Sequence, residues 1–342
     1  MQKTTSTTEY LTDHCHLSMN NALAAERHPL WVRSCGTLDD ISFVSHGIRR
    51  CITPFNSGRH YLQFTDEVYN KPISHSNYFD SIKSSRRMLM VEAIEKQSYL
   101  NHCETLANSG INYLKQFPEL NGYRVEAADG HYIKHACHTE KNDKGKIYSA
   151  GFIYALNLKN GLLRPLCVVT NGTKRSHEIP ALRSYVEQNQ NTKNKNLYVY
   201  DKTVIDFEWW DKQKKDQNYM ISVLKENSTA TFVESIKFDP KNGFNIGIEG
   251  YSVYQKGNIK FHIIEYRDPE TGILHKFITT LEKSINPGTI AMLYFKRWTI
   301  EKSFNNSKSD LGEKKAWSSN MNALNSQMRF TSMAYNIVRV LE

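Results

Sequence analysis

The sequence predicts an α/β fold: a mixed sheet with helices packed on it, a β-rich insertion, and a mostly helical N-terminal region. Three observations predict it. Residues 123–224 read as strands and helices in the order β-β-β-α-β-α-β. Residues 228–283 switch back to strands before helices resume at Asn286-Pro287. Residues 1–120 carry long helix-like stretches, with the change of texture near Gly122.

The elements follow in order. From Ser74 to about Leu114 the chain is helix-like, and Met88, Val91, Ile94, Glu95 and Tyr99 give a mixed amphipathic pattern. Pro54, Gly58 and Pro72 punctuate the segment before it. Tyr123–Lys134 alternates as a strand, and Asn142–Gly145 is a turn. Lys146–Leu158 is a second strand. Lys159-Asn160-Gly161 is a hairpin turn, because Asn-Gly accepts the positive φ that a tight turn needs. Leu162–Thr170 is the third strand. A helix over Glu178–Gln190 follows, with Pro180 in its first turn. Leu197–Tyr200 is a short apolar strand ending at Asp201, then come a helix over Phe207–Lys215 and a strand over Tyr219–Leu224. The β-rich stretch has turns at Lys241-Asn242-Gly243, Lys256-Gly257-Asn258 and Asp268–Gly272. Asn286 caps a helix that starts with Pro287 and runs to about Leu311, where Gly312 ends it. A last helix spans Asn320–Leu341 and is expected to bury Leu324, Met328, Ile337 and Leu341 or near neighbours.

Length and composition bound the function. The chain has 342 residues, 39% hydrophobic and 23% charged, with 19 Tyr and 15 Phe. That is enough apolar material for a sizeable core, so a disordered chain is excluded. The length fits one large domain with an insertion, or two domains. No apolar run approaches the ~18–20 residues that cross a bilayer. Met1–Glu9 is polar and lacks the basic-then-apolar order of a secretory signal. The six cysteines form no CxxC pair, which predicts reduced thiols in a cytoplasmic protein. His14-Cys15-His16 and the group His135, Cys137, His138 lack the paired spacing of a zinc site.

The net charge is +9, unevenly placed. Lys+Arg and Asp+Glu balance at 12 each over residues 1–120, so the whole excess lies from Asn121 onward. A basic region of this size has two readings, solubility or a polyanionic partner such as nucleic acid.

Three carboxylates stand out. Asp129 lies inside the first strand, in Val125-Glu126-Ala127-Ala128-Asp129-Gly130, where a charge calls for a partner or a metal. Asp201 ends the fourth strand, and sites in open α/β sheets lie at strand carboxyl ends. If these strands are neighbours, the two carboxylates face each other. The third, Glu301, shares one helix face with Tyr294, Arg297 and Lys308, since 100° per residue brings all four within a narrow stripe. Such a stripe suits a phosphate backbone beside a metal site. It equally describes a solvated face with an Arg297–Glu301 pair at i,i+4. Likewise Asp129 has a second reading as a turn residue beside Gly130, and Asp201 as a helix cap. Oxygen ligands without cysteine partners favour Mg²⁺ or Mn²⁺, and two such ions can drive phosphodiester chemistry. Trp298 lies about 100° past Arg297, which assigns it to packing.

The pattern Tyr294-x2-Arg297-x3-Glu301-x6-Lys308 resembles the Y-R-E-K signature of the IS4 family (Tn5-like) of bacterial insertion-sequence transposases. The resemblance covers about 121–342. It implies an RNase H-like catalytic domain over 121–342, interrupted by the β-rich insertion at about 226–285 and preceded by a helical region, 1–120, that binds DNA ends. It implies that Asp129, Asp201 and Glu301 are the D-D-E triad and hold two Mg²⁺ (or Mn²⁺) ions. It implies that Tyr294, Arg297 and Lys308 hold DNA phosphates, with Lys202 beside Asp201 where the family usually has Arg. The implied activity is cut-and-paste DNA transposition: strand cleavage at the element's ends, a hairpin step, and strand transfer into target DNA. The implied partners are transposon-end DNA and target DNA, bound by a homodimer, in the bacterial cytoplasm and on the nucleoid, with no membrane. His131 follows Asp129-Gly130 where the family often has Thr or Ser. The insertion has no Trp to stack on a flipped base, so the hairpin step is less secure than cleavage.

Two other functions compete: a catalytically inactive, transposase-derived DNA-binding protein, and an RNase H-fold nuclease without strand transfer. All three carboxylates are present, which argues against the first. The Tyr294–Lys308 stripe argues against the second. Only 34 residues follow Lys308, which predicts no dimerisation tail like that of longer relatives. Arg49, Arg50, Arg86 and Arg87 are candidates for end recognition, since such residues make most phosphate contacts.

Overall fold

The computed structural model describes residues 38–53, 55, 57–69, 73–136, 145, 149–170, 174–188, 195–224, 229–309, 311 and 315–342. Nine strands form one sheet: β1 Tyr123–Ile133, β2 Ala150–Asn157, β3 Leu163–Val169, β4 Lys195–Val199, β5 Asn218–Val223, β6 Thr231–Ser235, β7 Ile248–Lys256, β8 Ile259–Arg267 and β9 Leu274–Thr279. Their spatial order is 3-2-1-4-5-9-8-7-6. The first three run antiparallel, while β4 lies parallel to β1 and β5 parallel to β4. That five-strand order is RNase H-like. The hairpin at Lys159-Asn160-Gly161 forms as its residues demand, with Gly161 at φ +77° and the Asn160 side chain accepting the Leu162 amide.

The β-rich insertion extends this same sheet. Strand β9 pairs antiparallel with β5, Ile221 opposite Thr279, and β8, β7 and β6 follow outward. The predicted turns at Lys256–Asn258 and Asp268–Gly272 join β7 to β8 and β8 to β9. The predicted turn over Asn142–Lys144 and the strand start at 146–148 lie outside the described residues.

The helices are α1 Asp40–Ile52, α2 Gly58–Tyr69, α3 His75–Lys83, α4 Ser85–Asn108, α5 Lys174–Gln188, α6 Phe207–Lys215, α7 Pro287–Lys296, α8 Trp298–Ser309 and α9 Met321–Leu341. Side-chain alternation decides what each sheet face buries. Val125, Ala127, Leu197 and Val199 point to one face, packed with Ile290 and Leu293 of α7, Ile300 and Phe304 of α8, and Leu324 and Met328 of α9. Ala128, Tyr198 and Tyr200 point to the other, under Leu182 and Val186 of α5 and Trp210 of α6. The opposite side of α9 closes a third core, with Phe330, Met333 and Ile337 against Phe43, Tyr61, Tyr78, Met90 and Ile94 of α1–α4. The contact with α1 is close: a Cβ on Gly47 would lie 2.3 Å from the Phe330 ring. The final helix therefore serves both the sheet and the helical N-terminal region.

Two helices depart from the sequence reading. Helix α5 begins at Lys174, so Pro180 sits inside it and not in its first turn. A proline there removes one i→i−4 hydrogen bond, which a single interior position can lose when the flanking turns are docked. The helix predicted from Pro287 to Leu311 is two helices parted at Arg297. At the joint the Arg297 amide is shared between the Leu293 and Tyr294 carbonyls at 3.2 and 3.1 Å. The Ile300 amide then takes the Arg297 carbonyl, an i→i+3 bond that tightens the turn. Gly312, the predicted stop, lies outside the described residues, and α8 is described to Ser309.

Candidate active site

Residue parity brings the two aspartates together. Asp129 continues the Val125–Ala127 row of β1, and Asp201 continues the Leu197–Val199 row just past β4. The β1–β4 ladder is parallel and ends at Ala127 opposite Val199. Each aspartate lies two residues beyond that last pair, on the face covered by α7 and α8. Glu126, by contrast, points to the other face. It is buried beneath Tyr185 and Arg124, which bond its oxygens at 2.6 and 2.6–2.8 Å. It is a structural ion pair and takes no part in the site.

The joint between α7 and α8 delivers the remaining groups. Arg297 is buried at 6% exposure. Its Nη1 lies 2.8 Å from Glu301 Oε1 and 3.9 Å from Asp129 Oδ2. Its guanidinium carbon sits 5.6 Å from the centre of the Tyr294 ring. Burial pushes the Tyr294 phenol up; Arg297 pulls it back, while the Asp201 and Glu301 carboxylates push it further. Burial pulls the Arg297 guanidinium down, but Tyr294, Glu301 and Asp129 outweigh it, so the group holds its proton more tightly than usual. Two carboxylates and a phenol thus surround one buried positive charge, and Asp201 acts on the phenol. The Arg297 Nε is buried and has no hydrogen-bond partner among the described residues.

The structure puts both readings of each aspartate on the page. Asp129 Oδ1 accepts the Gly130 amide at 2.8 Å. Asp201 accepts the Lys202 amide and caps the short 3-10 turn Lys202–Val204. Lys202 is exposed beside it. With oxygens committed to amides and to Arg297, no three His, Cys, Asp or Glu side chains among the described residues stand gathered as a metal cage. The chemistry of the donors nevertheless suits a hard divalent cation: all are carboxylate oxygens, and those of Asp129 and Glu301 already converge on a cation, the guanidinium.

Some predicted residues stand elsewhere. The side chain of Lys308 lies outside the described residues, so the fourth member of the stripe has only its place on α8. Trp298 is not packed: it is 53% exposed, touching Phe295 edge-on at 6.3 Å between centroids. The helix break accounts for this, because a turn tighter than the α-helix carries Trp298 away from the sheet. His131 is buried between β1 and α8, its ring 4.9 Å from that of Phe304. Of the four arginines considered for end recognition, Arg50 and Arg87 are buried. Arg50 stacks 4.0 Å over Trp317, and Arg86 and Arg87 pair with Asp40 at 2.6 and 3.2 Å. They hold the helical region together. The sequence reading missed Glu178 of α5, whose Oε1 lies 3.3 Å from the Gly130 amide. No local motif marks it, since the contact spans 48 residues.

Residues 121–337 match the family described as transposase DDE domain. A search of curated proteins finds no match. Among solved structures, the chain is similar to the crystal structure of Aa-Ago with externally-bound siRNA, at 11% identity and a TM-score of 0.24, over 67% of this chain and 34% of that one. It spans about a third of that protein's length, and a similarity this low bears on neither site nor function.

Proposed function

The chain belongs to the transposase DDE domain family, and from that premise we propose that it moves an IS4-like insertion sequence by cut-and-paste transposition. Its activity is cleavage of DNA strands at the element's ends and transfer of the freed 3′ ends into target DNA. What carries this reading is the meeting of Asp129, Glu301 and Tyr294 around the buried guanidinium of Arg297, with Asp201 alongside.

In this reading Asp129, Asp201 and Glu301 are the catalytic carboxylates and hold two Mg²⁺ or Mn²⁺ ions. Enzymes of this family use divalent metals; when bound, such ions supply the Lewis acidity that favours the attacking and leaving oxygens of a phosphodiester. Glu301 leaves Arg297 and turns toward Asp129, a small step for a half-exposed side chain. Arg297, released from Glu301, presents Nη1 to a DNA phosphate. Tyr294 supports that guanidinium, the exposed Lys202 adds a phosphate contact, and Lys308, a residue of α8, is assigned the same role. Two copies of the chain bind the two ends. Among the described residues no helix is long and apolar enough to cross a membrane, in keeping with a cytoplasmic enzyme acting on the nucleoid.

The test is strand cleavage with Mg²⁺ or Mn²⁺ on DNA carrying the repeats that flank this gene. Cleavage at the repeat boundary that disappears in Glu301→Gln and Asp201→Asn is the expected result. Cleavage surviving either change sinks the triad. Binding without cleavage by the unaltered chain favours an inactive DNA-binding protein, and cleavage unrelated to the repeats favours a nuclease.

A further inference from the structure

The backbone of β1 has an unusual vacancy beside Asp129. The Val125 carbonyl accepts from Leu158 at the end of β2. Backbone groups of the odd residues of β1 therefore face β2, and those of the even residues face β4. Strand β4 stops pairing at Val199. The Gly130 amide points toward β4 beyond that stop, where no strand remains to receive it. Two carboxylates receive it instead: Asp129 Oδ1 at 2.8 Å and Glu178 Oε1 at 3.3 Å. Glu178 lies tight against this backbone. A Cβ on Gly130 would fall 3.2 Å from its Cδ and Oε2.

We propose that Glu178 is a positioning residue for Asp129: it takes over the Gly130 amide and so frees Asp129 Oδ1 to turn to a divalent cation. The proposal rests on the metal-binding reading given above. An Asp129 oxygen bonded to its neighbour's amide is a poor ligand, because turning it outward strands a buried N–H. With a second acceptor on the same hydrogen, the bond passes from one carboxylate to the other and the amide is never left alone. Both acceptors act on the same surroundings. Burial pushes the Tyr132 phenol up, and Glu178 and then Asp129 push it further. Glycine at 130 leaves room for the second acceptor, since a Cβ there would meet Tyr132 Cε2 at 2.8 Å and crowd Glu178 at 3.2 Å.

Glu178→Ala removes the second acceptor. Glu178→Gln keeps an amide oxygen at that position and loses the charge. Mn²⁺ binding is measured by the electron spin resonance of free Mn²⁺, on the full chain bound to a duplex carrying the flanking repeat and on the duplex alone. Asp129→Asn is the reference for the metal site itself, and thermal midpoints confirm that each variant folds. The expected pattern is loss of the protein-dependent site in Asp129→Asn and about tenfold weaker binding in Glu178→Ala, the usual effect of losing a partner that orients a ligand. Glu178→Gln stays within about threefold of the unaltered chain by the same rule. Unchanged binding in Glu178→Ala alongside loss in Asp129→Asn overturns the proposal and leaves the metal site standing. Equal losses in both Glu178 variants also overturn it, because charge, not hydrogen-bond acceptance, would then be what Glu178 contributes. No protein-dependent binding, or none lost in Asp129→Asn, overturns the metal reading and this proposal with it.

Discussion

Arg297→Gln tests the electrostatic logic of the site without DNA. The guanidinium lies 2.8 Å from Glu301 and 3.9 Å from Asp129. Unit charges about 4 Å apart attract by about 4 kcal/mol at an effective dielectric of about 20. Neither pair delivers that sum. The Glu301 side chain is 49% exposed, so its share falls toward the ~0–1 kcal/mol of surface pairs. Asp129, at 17%, carries more. Removing a guanidinium that is only 7% exposed also removes its own desolvation cost. A net loss of about 2 kcal/mol remains, and at roughly 2–4 °C per kcal/mol it lowers the thermal midpoint by about 4–8 °C. The variant leaves Asp129 and Glu301 without the guanidinium between them, so a divalent cation stabilises it more than it stabilises the unaltered chain. A cation at about 100 times its Kd adds about 2.7 kcal/mol, enough to close the gap. The assay is calorimetric melting of both proteins with EDTA and with millimolar Mn²⁺. Equal midpoints in EDTA would show that Arg297 does not neutralise the cluster. A deficit that Mn²⁺ leaves untouched would show that the carboxylates do not accept a cation in its place.

Two further predictions concern the scaffold. Glu95 on α4 is buried, and burial pushes its carboxyl up to about 8 despite Arg329 and Arg164. The folded chain therefore holds this proton more tightly than the unfolded one. The contribution is fully present below about 4.5 and is lost as pH rises toward about 8. Glu95→Gln should flatten that decline and exceed the unaltered chain in urea midpoint at pH 9; a larger drop for the variant at pH 9 than at pH 5 would contradict the assignment. Gly288→Ala should place a Cβ 1.8 Å from the Phe244 carbonyl oxygen and 2.8 Å from Asn245 Oδ1, which accepts the Gly288 amide. Backbone cannot yield there cheaply, so a loss of about 1–3 kcal/mol is expected by thermal melting, and an unchanged midpoint would refute the close approach.

The parts legible in the sequence are those decided by local chemistry. The turn at Asn160-Gly161, the cap at Asn286 and the helix Phe207–Lys215 are specified by neighbouring residues, and each forms as read. Alternation along β1 and β4 was enough to put Asp129 and Asp201 on one face, given only that the strands are neighbours. The break at Arg297 was not legible, because periodicity over four turns cannot register one residue of tighter winding. Nor was the extent of α5, since Pro180 signals a helix start more often than an interior position. The roles of Arg50, Arg87 and Glu178 depend on Trp317, Asp40 and Gly130, all distant in sequence. A charged side chain looks the same in a sequence whether it meets solvent or a buried partner.

The continuous sheet explains how Glu301 keeps its place although 63 residues, 224–286, separate β5 from the helices that carry it. The chain leaves the sheet at Val223 and returns through β9, which pairs directly with β5. Thr279 and Thr280 then fasten the return, bonding the Met220 carbonyl at 2.7 Å and its amide at 3.0 Å. An insertion whose two ends lie side by side adds little closure entropy whatever its length. Its inner strands also pack on the helix that leads to Glu301: the Phe277 ring of β9 lies 4.9 Å from that of Tyr294 and 5.6 Å from that of Phe295. The turn Gly243–Asn245 adds a polar tie. It reaches back to α7, where Asn245 bonds Gly288 nine residues before Arg297. A change in that turn should thus be felt at the carboxylates, whereas an equal change at the exposed strand β6 should not.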